Sequence, residues 1–284
     1  MKIQVLGSGG GITIPKPFCA CGICQEAIQL SGRYQRTGPS YFLHGPDVLF
    51  DTPEEIKHQL IRSNIQNINA AIYSHWHPDH VMGRRVWESN MDWHNPMRQP
   101  PAIPIFLPEN TIESLKTMGS TYKDLEYYQS NDLVTINHMP NFIPQSFGSV
   151  NITSFPMAED YVASFMLEDD DKKLLFITDE HIHWEPSSEH RFQDCVIMPM
   201  GISEFKFGTN ERLIPKDSEI LKHEATFDFT IDILKFLKPK RAVLSHIEEP
   251  DQVSYKQLKE AEPRLSDSLG FPMEFSYDQM MIDI

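Results

Sequence analysis

The sequence predicts an α/β fold in which two mixed β-sheets pack face to face with helices on the outside. Short apolar segments of strand length recur along the 284 residues and alternate with segments of helical character. They fall into an early and a late group that each carry helices, as expected for two layered sheets. Hydrophobic residues make up 40% and charged residues 23% of the chain, an ordinary globular composition. Because the sequence contains no repeat or long linker, we expect one domain over residues 1–284.

The individual elements follow from local patterns of apolar and turn-forming residues. The segment "SYFLHGPDVLFD" predicts a hairpin, and "YVASFMLEDDDKKLLFITD" predicts a second one around an acidic turn. Several predicted helices begin with Pro, Asn or Thr at capping positions. The predicted strands are 2–6, 40–44, 47–50, 69–74, 103–107, 132–137, 150–156, 161–167, 173–178, 195–200, 241–245 and 273–282. The predicted helices are 53–64, 82–91, 109–118, 225–237 and 252–261.

The charge and hydropathy of the chain limit its partners. A formal net charge of −15 argues against nucleic acid as the main partner, because binding phosphates needs a concentrated Lys/Arg surface. No apolar run reaches the roughly 20 residues needed to span a bilayer. The start "MKIQVLGSGGG" has too short an apolar segment for a secretory signal. We therefore expect a soluble cytoplasmic protein that acts on a small molecule and does not bind membranes.

The stretch "YSHWHPDHVMG" concentrates four side chains of metal-ligand type. It follows the apolar run "INAAIY", which predicts a buried strand, and its proline and glycine place the polar residues on a loop at the end of that strand. Ligands from one such loop can serve two adjacent metal ions, His75 with His77 and Asp79 with His80. The alternative is a polar surface loop, but this spacing is typical of a metal site.

The His-x-His-x-Asp-His pattern after a hydrophobic strand resembles the signature of the metallo-β-lactamase superfamily. The αββα sandwich of that superfamily has the order of strands and helices predicted above. The resemblance implies that Asp179, after "LLFIT", bridges two metal ions, and that His246, after "AVLS", is the last histidine ligand. It also implies that Asp51, ending "DVLFD", orients the ligand loop. Taken alone, Asp179 fits better as a strand-end or turn aspartate and His246 as a hydrogen-bonded histidine at a sheet edge; the first motif is what favours the ligand roles.

One ligand that the resemblance implies is missing from this sequence. The superfamily supplies a histidine shortly after the strand that here reads "VNITSFPM", but the chain continues "AEDYVASF". Glu159 or Asp160 is therefore the candidate replacement. A site richer in oxygen ligands would favour manganese or iron over zinc. The alternative is a solvated acidic loop beside a site that is one ligand short.

Three cysteines form a second candidate metal site. Cys19, Cys21 and Cys24 are too close together for an ordinary disulfide framework and suit one metal ion. The segment "LGSGGGITIPKPFCACGICQEA" resembles the superfamily branch that contains a phosphoribosyl cyclic phosphate phosphodiesterase and the cofactor-synthesis protein PqqB. That resemblance implies a structural zinc in a loop at about 15–30, with Glu249 where the phosphodiesterase has a histidine ligand. The alternative is three reduced thiols without a metal.

Two further resemblances concern catalysis. In "LKHEATFDFT", His223 precedes a predicted helix, at a place where relatives carry a histidine that helps to protonate the leaving oxygen. The alternative is a helix-capping or surface histidine. Asp79 is the second residue to which we assign a catalytic as well as a ligand role. We expect His181 and His183, beside the bridging aspartate, to lie on the surface or to support the ligands from outside.

The resemblance implies a dinuclear hydrolase with two divalent ions (zinc, manganese or iron) in the active site and one structural zinc. The expected reaction is hydrolysis of small or cyclic phosphodiesters, in which a metal-activated water attacks phosphorus. One alternative is a non-hydrolytic role in cofactor synthesis or binding, as in PqqB, and another is an iron redox site with extra carboxylates. A homodimer is one candidate assembly, since it is common among relatives. The Gly-rich turn does not match a dinucleotide-binding pattern, so no nucleotide cofactor is expected.

Overall fold

A computed structural model describes residues 1–92, 94 and 100–284, in which the strands form two seven-stranded sheets. The strands of the first sheet are β1 (Lys2–Gly7), β2 (Ser40–His44), β3 (Val48–Phe50), β4 (Ala70–Ile72), β5 (Ile103–Pro108), β6 (Val134–Met139) and β14 (Met281–Asp283). The strands of the second sheet are β7 (Gln145–Phe147), β8 (Val150–Pro156), β9 (Ala163–Asp169), β10 (Lys172–Phe176), β11 (Cys195–Pro199), β12 (Ala242–Ser245) and β13 (Met273–Phe275). Their spatial orders are β14-β1-β2-β3-β4-β5-β6 and β13-β12-β11-β10-β9-β8-β7. Both sheets are mixed, as predicted.

Helices cover the outer faces of both sheets. The α-helices in the described residues are α1 (Gly22–Leu30), α2 (Ile56–Arg62), α3 (Pro78–Val81), α4 (Ile112–Thr117), α5 (Thr121–Ser130), α6 (Phe227–Leu237) and α7 (Tyr255–Leu269). None of the helices within residues 1–92, 94 and 100–284 combines the length and the apolar content required to cross a membrane.

Three hydrophobic cores hold the layers together. Between the sheets, the ring of Phe50 packs against Phe165 and Phe176 with centroids 5.3 Å apart in both cases, and all three residues are at most 1% exposed. Outside the second sheet, α6 and α7 bury residues such as Leu234 and Leu258. Outside the first sheet, α2, α4 and α5 contribute to a further core. The four layers confirm the predicted αββα sandwich.

The predicted strand 273–282 is wrong, because it forms β13 and β14 in different sheets. β13 pairs with β12, and β14 pairs with β1. Between them Asp278 is buried and accepts hydrogen bonds from the backbone and hydroxyl of Ser8, at 2.9 and 2.8 Å. Gln279 turns the chain with a φ of 72°. This turn contains no glycine or proline, so the alternating apolar pattern continues through it without a break.

Several helices also differ from their predictions. The chain over Met82–Asn90 is a 3₁₀ helix rather than the predicted α-helix over 82–91, and α1, α3, α5 and β7 lie outside the predicted elements. α7 begins after Ser254, whose side chain accepts from the backbone of Gln257, and it continues through Pro263 well beyond the predicted end. Its buried Leu258 packs on the second sheet, and tertiary packing of this kind outweighs the local penalty of an internal proline.

The sheet topology brings the predicted ligands to one edge of the sandwich. β3 and β4 run parallel, and β10, β11 and β12 also run parallel to one another. Parallel strands end at the same edge of a sheet, where loops build binding sites. Asp51 follows β3, His75 follows β4, Asp179 follows β10, and His246 follows β12.

Candidate metal centre

The structure brings the predicted ligand atoms into two adjacent groups. Asp79, His80, Asp179 and His246 form one group, and His75, His77 and Asp179 form the other; within each group the ligand atoms lie within 4.8 Å of one another. Asp179 belongs to both groups. The residues of the predicted loop therefore divide between two sites, with Asp79 and His80 on α3 and His75 and His77 on the chain before it. The arrangement offers positions for two neighbouring cations that share one carboxylate.

The donor atoms of the two groups fit metal ions. The Nε2 atoms of His75, His80 and His246 are buried and have no hydrogen-bond partner. They lie 3.6, 3.4 and 3.4 Å from Oδ2 of Asp179. Ligands at about 2.1 Å from a tetrahedral ion lie about 3.4 Å from one another. Because buried nitrogen atoms are rarely left unpaired, their convergence at this spacing supports cation binding.

Asp51 and Ser74 fix the orientation of two of these rings. Asp51 Oδ2 lies 2.8 Å from His80 Nδ1, and Asp51 Oδ1 accepts the backbone N–H of Ser74 at 2.7 Å. The hydroxyl of Ser74 donates to Asp51 Oδ2 at 2.6 Å and lies 3.0 Å from His75 Nδ1. With their Nδ1 atoms engaged, both histidines direct Nε2 towards the centre, the usual role of partners behind metal ligands. The position of Asp51 agrees with the orienting role that the resemblance implies.

The electrostatic environment favours a cation between these residues. Burial acts to lower the pKa of His80, but the carboxylates of Asp79 and Asp51 raise that pKa to about 10. Burial acts to raise the pKa of Asp179, yet His246 and His80 hold it well below its usual value. Each shift shows that positive and negative charge stabilise each other strongly here. The same carboxylates would attract a metal ion.

The structure does not bring Glu159 or Asp160 into either group of ligand atoms. Both lie in the turn between β8 and β9, and the side chain of Asp160 is exposed. Glu180 approaches instead, because its Oε1 lies 3.4 Å from His77 Nδ1. Glu159 and Asp160 therefore lie outside both groups of ligand atoms, and so does Glu180, although its carboxylate contacts His77.

A cavity of about 470 Å³ opens over the two groups of ligands. His77, Asp79, Asp179 and His246 line its floor, together with Glu180. Its wall contains further carboxylates and an apolar set of residues that includes Ile202, Leu213, Ile214 and Ile220. A concave site with a few convergent polar groups and a largely apolar wall is the usual form of a small-molecule site.

The two other histidine predictions have different outcomes. His223 is exposed and does not line the cavity, whereas its neighbour Glu224 does. Burial and the charge of Asp179 raise the pKa of Glu224 to about 7. His181, expected near the surface, is buried, lines the cavity and lies 2.6 Å from Thr230 Oγ1 through its Nε2 atom, whereas His183 is exposed.

Glu180 and Glu224 are not among the residues that the sequence predicts for the site. Each directly follows a predicted residue, Asp179 in one case and His223 in the other. The backbone of Glu180 has a φ of 44°, in the left-handed region that few non-glycine residues adopt. Adjacency to a predicted site residue was the available signal, but it does not show which of two neighbours faces the cavity.

The three cysteines cluster with Glu249, which lies three residues after His246 in the chain. The Sγ atoms of Cys19 and Cys21 lie 3.4 and 3.3 Å from Glu249 Oε1, and all four ligand atoms, including Cys24 Sγ, fall within 4.8 Å. Each sulfur accepts one backbone N–H, and the described cysteines form no disulfide. Lys16 Nζ donates to Glu249 Oε2 at 2.8 Å. Three thiols and a carboxylate at this spacing fit a closed tetrahedral zinc site.

Fold and site together define a protein of the metallo-β-lactamase fold with a candidate metal centre. The family model for the beta-lactamase superfamily domain matches residues 45–247, which is more than half of the chain, and the chain belongs to that family. A crystal structure of a new diphosphatase from the PhnP family is 18% identical, has a TM-score of 0.69, and aligns over 99% of this chain and 97% of that one. Zn²⁺-bound PqqB from Methylobacterium extorquens is 16% identical, with a TM-score of 0.68 and all of both chains covered.

A curated octanoyltransferase from Porphyromonas gingivalis is 22% identical over 116 residues, which is 41% of this chain and 22% of that protein. The match therefore spans about a fifth of that relative. The resemblance to PhnP and PqqB extends over the whole fold, as the sequence predicted.

Proposed function

We propose that the protein is a dinuclear metal-dependent hydrolase that cleaves small or cyclic phosphodiesters. The observation that carries the proposal is the position of Asp179, whose carboxylate belongs to both groups of ligand atoms. A shared carboxylate would hold two cations close enough to act on one phosphoryl group. The similarity of the fold to that of a diphosphatase from the PhnP family supports chemistry at phosphorus.

The residues of the centre would divide the work as follows. His75, His77 and Asp179 would hold one cation, and Asp79, His80 and His246 would hold the other with the same Asp179. Divalent cations supply a nucleophile from water at neutral pH and offset negative charge that develops on phosphoryl oxygens. The carboxylates of Asp79 and Asp179 would also accept hydrogen bonds from the attacking water and so orient it towards phosphorus.

We assign the proton for the leaving oxygen to Glu224 in preference to His223. Glu224 lines the cavity and His223 does not. Burial is the largest cause that raises the pKa of Glu224, and burial favours the protonated carboxyl that can donate to the leaving oxygen. An acid of this kind contributes about 10²–10⁴-fold to a rate when the leaving group is poor.

The surface charge favours a small substrate over RNA. The chain carries 40 acidic against 25 basic residues, and a long phosphate backbone would be repelled rather than attracted. A small diester that enters the cavity needs to contact only its lining.

The proposal is tested by counting metals and measuring turnover in the same preparations. Protein supplied separately with Mn²⁺, Zn²⁺ or Fe²⁺ should bind two cations besides the one at the cysteines, and should hydrolyse bis(p-nitrophenyl) phosphate. Asp179→Ala should lose both cations and at least about 10³-fold in rate, because one carboxylate serves both sites. Asp160→Ala, which removes an exposed carboxylate outside both groups, is the matched control and should change neither quantity. Two bound cations and full turnover in Asp179→Ala would contradict the proposal.

One observation favours a second candidate function. The group of His75 and His77 contains only three residues, against four in the other group. If only the four-residue group holds a cation, the protein would carry one active-site metal and fit a non-hydrolytic role in cofactor synthesis or binding. A single active-site cation per chain, with no hydrolysis of any phosphodiester tried, would favour this candidate.

A further inference from the structure

The wall of the cavity above the ligands is apolar on one side. Its apolar residues come from the Gly-rich loop, from the chain after β11, and from the segment 213–220 before α6. They include Ile12, Ile202, Leu213, Ile214, Pro215 and Ile220. Several of these side chains remain partly open to solvent, and Ile220 is 41% exposed. Apolar surface that stays uncovered beside a candidate catalytic centre is available to a ligand.

The segment 213–220 is held in place by hydrogen bonds. The backbone N–H groups of Leu213 and Ile214 both donate to the carbonyl of Glu204, at 2.8 and 3.2 Å. The guanidinium of Arg212 donates to the carbonyl of Ile214 at 3.1 Å and to the carboxylate of Glu204 at 2.9 Å. The backbone of Ser218 donates to Pro215. The apolar wall is therefore a fixed surface, which keeps the entropy lost on binding small.

No lysine or arginine lines the cavity, and all of its lining residues lie in the part of the chain that the structure describes. Arg212 is engaged by Glu204, and Lys222 is engaged by Glu219 at 2.7 Å. Lys216 is exposed outside the lining. In contrast, six carboxylates line the cavity: Asp79, Asp179, Glu180, Glu224, Glu248 and Asp251. A second anionic group on a substrate would find no lysine or arginine in the lining to pair with it.

We infer that the substrate is a phosphodiester with a single negative charge and one apolar alcohol group, which packs against Leu213, Ile214 and Ile220. This inference rests on the proposed function and names the substrate class for that site. The phosphoryl group lies at the ligand floor, and the apolar group lies on the wall. Substrates with a further phosphate or carboxylate are rejected because the lining offers no cation to pair with it.

Four esters with the same p-nitrophenolate leaving group separate the apolar wall from the carboxylates. Their retained alcohols are methyl, 3,3-dimethylbutyl, its trimethylammonium counterpart, and a counterpart of similar size that ends in a carboxylate. Burial of one methylene is worth roughly a fourfold change in affinity. Burial of about half of the five extra carbons should thus favour the 3,3-dimethylbutyl ester over the methyl ester in kcat/KM by tenfold or more. The carboxylate ester should fall to the level of the methyl ester or below.

Two variants locate the selectivity on the wall. Leu213→Ser and Ile220→Ser should each reduce the ratio between the 3,3-dimethylbutyl and methyl esters to a few-fold. Ile143→Ser is the matched control, because Ile143 is also exposed, at 53%, but lies outside the cavity. It should leave the ratio unchanged. A trimethylammonium ester that reacts as well as the neutral ester, or better, would show that the carboxylates select the substrate and would overturn the inference.

Binding of inert analogues separates this inference from the proposed function. Methyl and 3,3-dimethylbutyl esters of methylphosphonic acid carry one negative charge and can be titrated calorimetrically into the metal-loaded protein. Tenfold tighter binding of the larger ester without hydrolysis of any substrate would support the inference about the cavity and reject the proposed function. Hydrolysis with equal kcat/KM for the methyl and 3,3-dimethylbutyl esters would support the proposed function and reject the inference about the cavity. If the protein hydrolyses none of the substrates and binds both analogues equally, the inference and the proposed function are both overturned.

Discussion

A single methyl group added at Gly10 tests whether the position of His246 determines cation binding. A Cβ atom on Gly10 would lie 2.2 Å from Cε1 and 2.4 Å from Nδ1 of His246, and 2.5 Å from Oε1 of Glu248. Carbon atoms in ordinary contact lie about 3.5–4.0 Å apart. The ring would therefore have to move by about 1.3 Å or more. Gly10 is not among the residues with positive φ, so alanine suits its backbone and the strain falls on His246.

A movement of that size would disrupt one of the two groups of ligands. His246 Nε2 lies 3.5 Å from Oδ2 of Asp79 and 3.4 Å from Oδ2 of Asp179, the spacing of neighbouring ligands on one ion. A misplacement of about 1 Å in a positioned group can cost about 10²-fold in activity. We therefore expect Gly10→Ala to lower the affinity for the cation at Asp79 and His80 by about 10²-fold. Hydrolysis of bis(p-nitrophenyl) phosphate should fall by a similar factor.

The assay is equilibrium dialysis against buffered Zn²⁺ or Mn²⁺, followed by metal counting. A zinc ion at the cysteines would serve as an internal reference, because the atoms nearest to a Cβ on Gly10 belong to His246 and Glu248 and not to the cysteine cluster. Gly11→Ala is the matched control, since its Cβ would lie 3.7 Å from Asp79 Cγ and from Glu248 Oε1, which is ordinary contact. Equal cation affinities in Gly10→Ala and Gly11→Ala would refute the reasoning.

Three further predictions concern other parts of the molecule. Cys21→Ser should remove one zinc per chain and lower the free energy of unfolding by about 2 kcal/mol or more, whereas Cys195→Ala in the core should keep the zinc; unchanged zinc and stability in Cys21→Ser would reject the structural site. Burial lowers the pKa of His181 to about 4, below its unfolded value of about 6.5, so the neutral ring stabilises the fold above pH 6.5 and this contribution is lost as the pH falls to 4. In urea titrations with excess chelator, the free energy of unfolding should fall by about 3 kcal/mol less in His181→Gln than in the unchanged chain as the pH drops from 6.5 to 4. Equal decreases in the two proteins would rule out this role. Glu224→Gln should reduce the rate of hydrolysis of esters with poor leaving groups about 10²-fold more than that of p-nitrophenyl esters, whereas His223→Ala should not. The opposite pattern would assign the acid role to His223.

The sequence predicts most of the sandwich because both faces of its sheets are buried. Segments such as β11 and β12 are short, largely apolar runs that are buried along their whole length. The prediction fails where the chain turns without a glycine or a proline. The chain from Phe275 to Met281 changes sheets through Asp278, a polar residue whose partners Ser8 and Arg62 are 270 and 216 positions away. No local pattern records contacts at that separation.

The candidate site divides in the same way between local and distant information. The four ligand-type residues from His75 to His80 are predictable because one short loop carries them all after a strand. Asp179 and His246 are named only through the resemblance, since each alone fits an ordinary strand end. Which way a side chain turns depends on the backbone at that residue, and both Glu180 and His246 have positive φ values, at 44° and 56°. The residue type does not predict a positive φ for glutamate or histidine.

The missing histidine shows why chain position alone does not identify a ligand. Glu159 stands at the expected distance after β8, but the β8–β9 turn is closed by hydrogen bonds from Val162 N to the carbonyl of Glu159 and from Met157 N to the carbonyl of Val162, both at 3.0 Å. Ala163 N donates to the carbonyl of Ser74, which ties the turn to the ligand loop through its backbone. Glu180 reaches His77 from the end of β10, directly after Asp179. Glu180 directly follows the bridging Asp179 and would move together with it. Glu180→Gln should therefore lower the affinity for the cation at His75 and His77 by about tenfold, whereas Glu159→Gln should not. Metal counting that shows the reverse order would restore Glu159 as the replacement for the missing ligand.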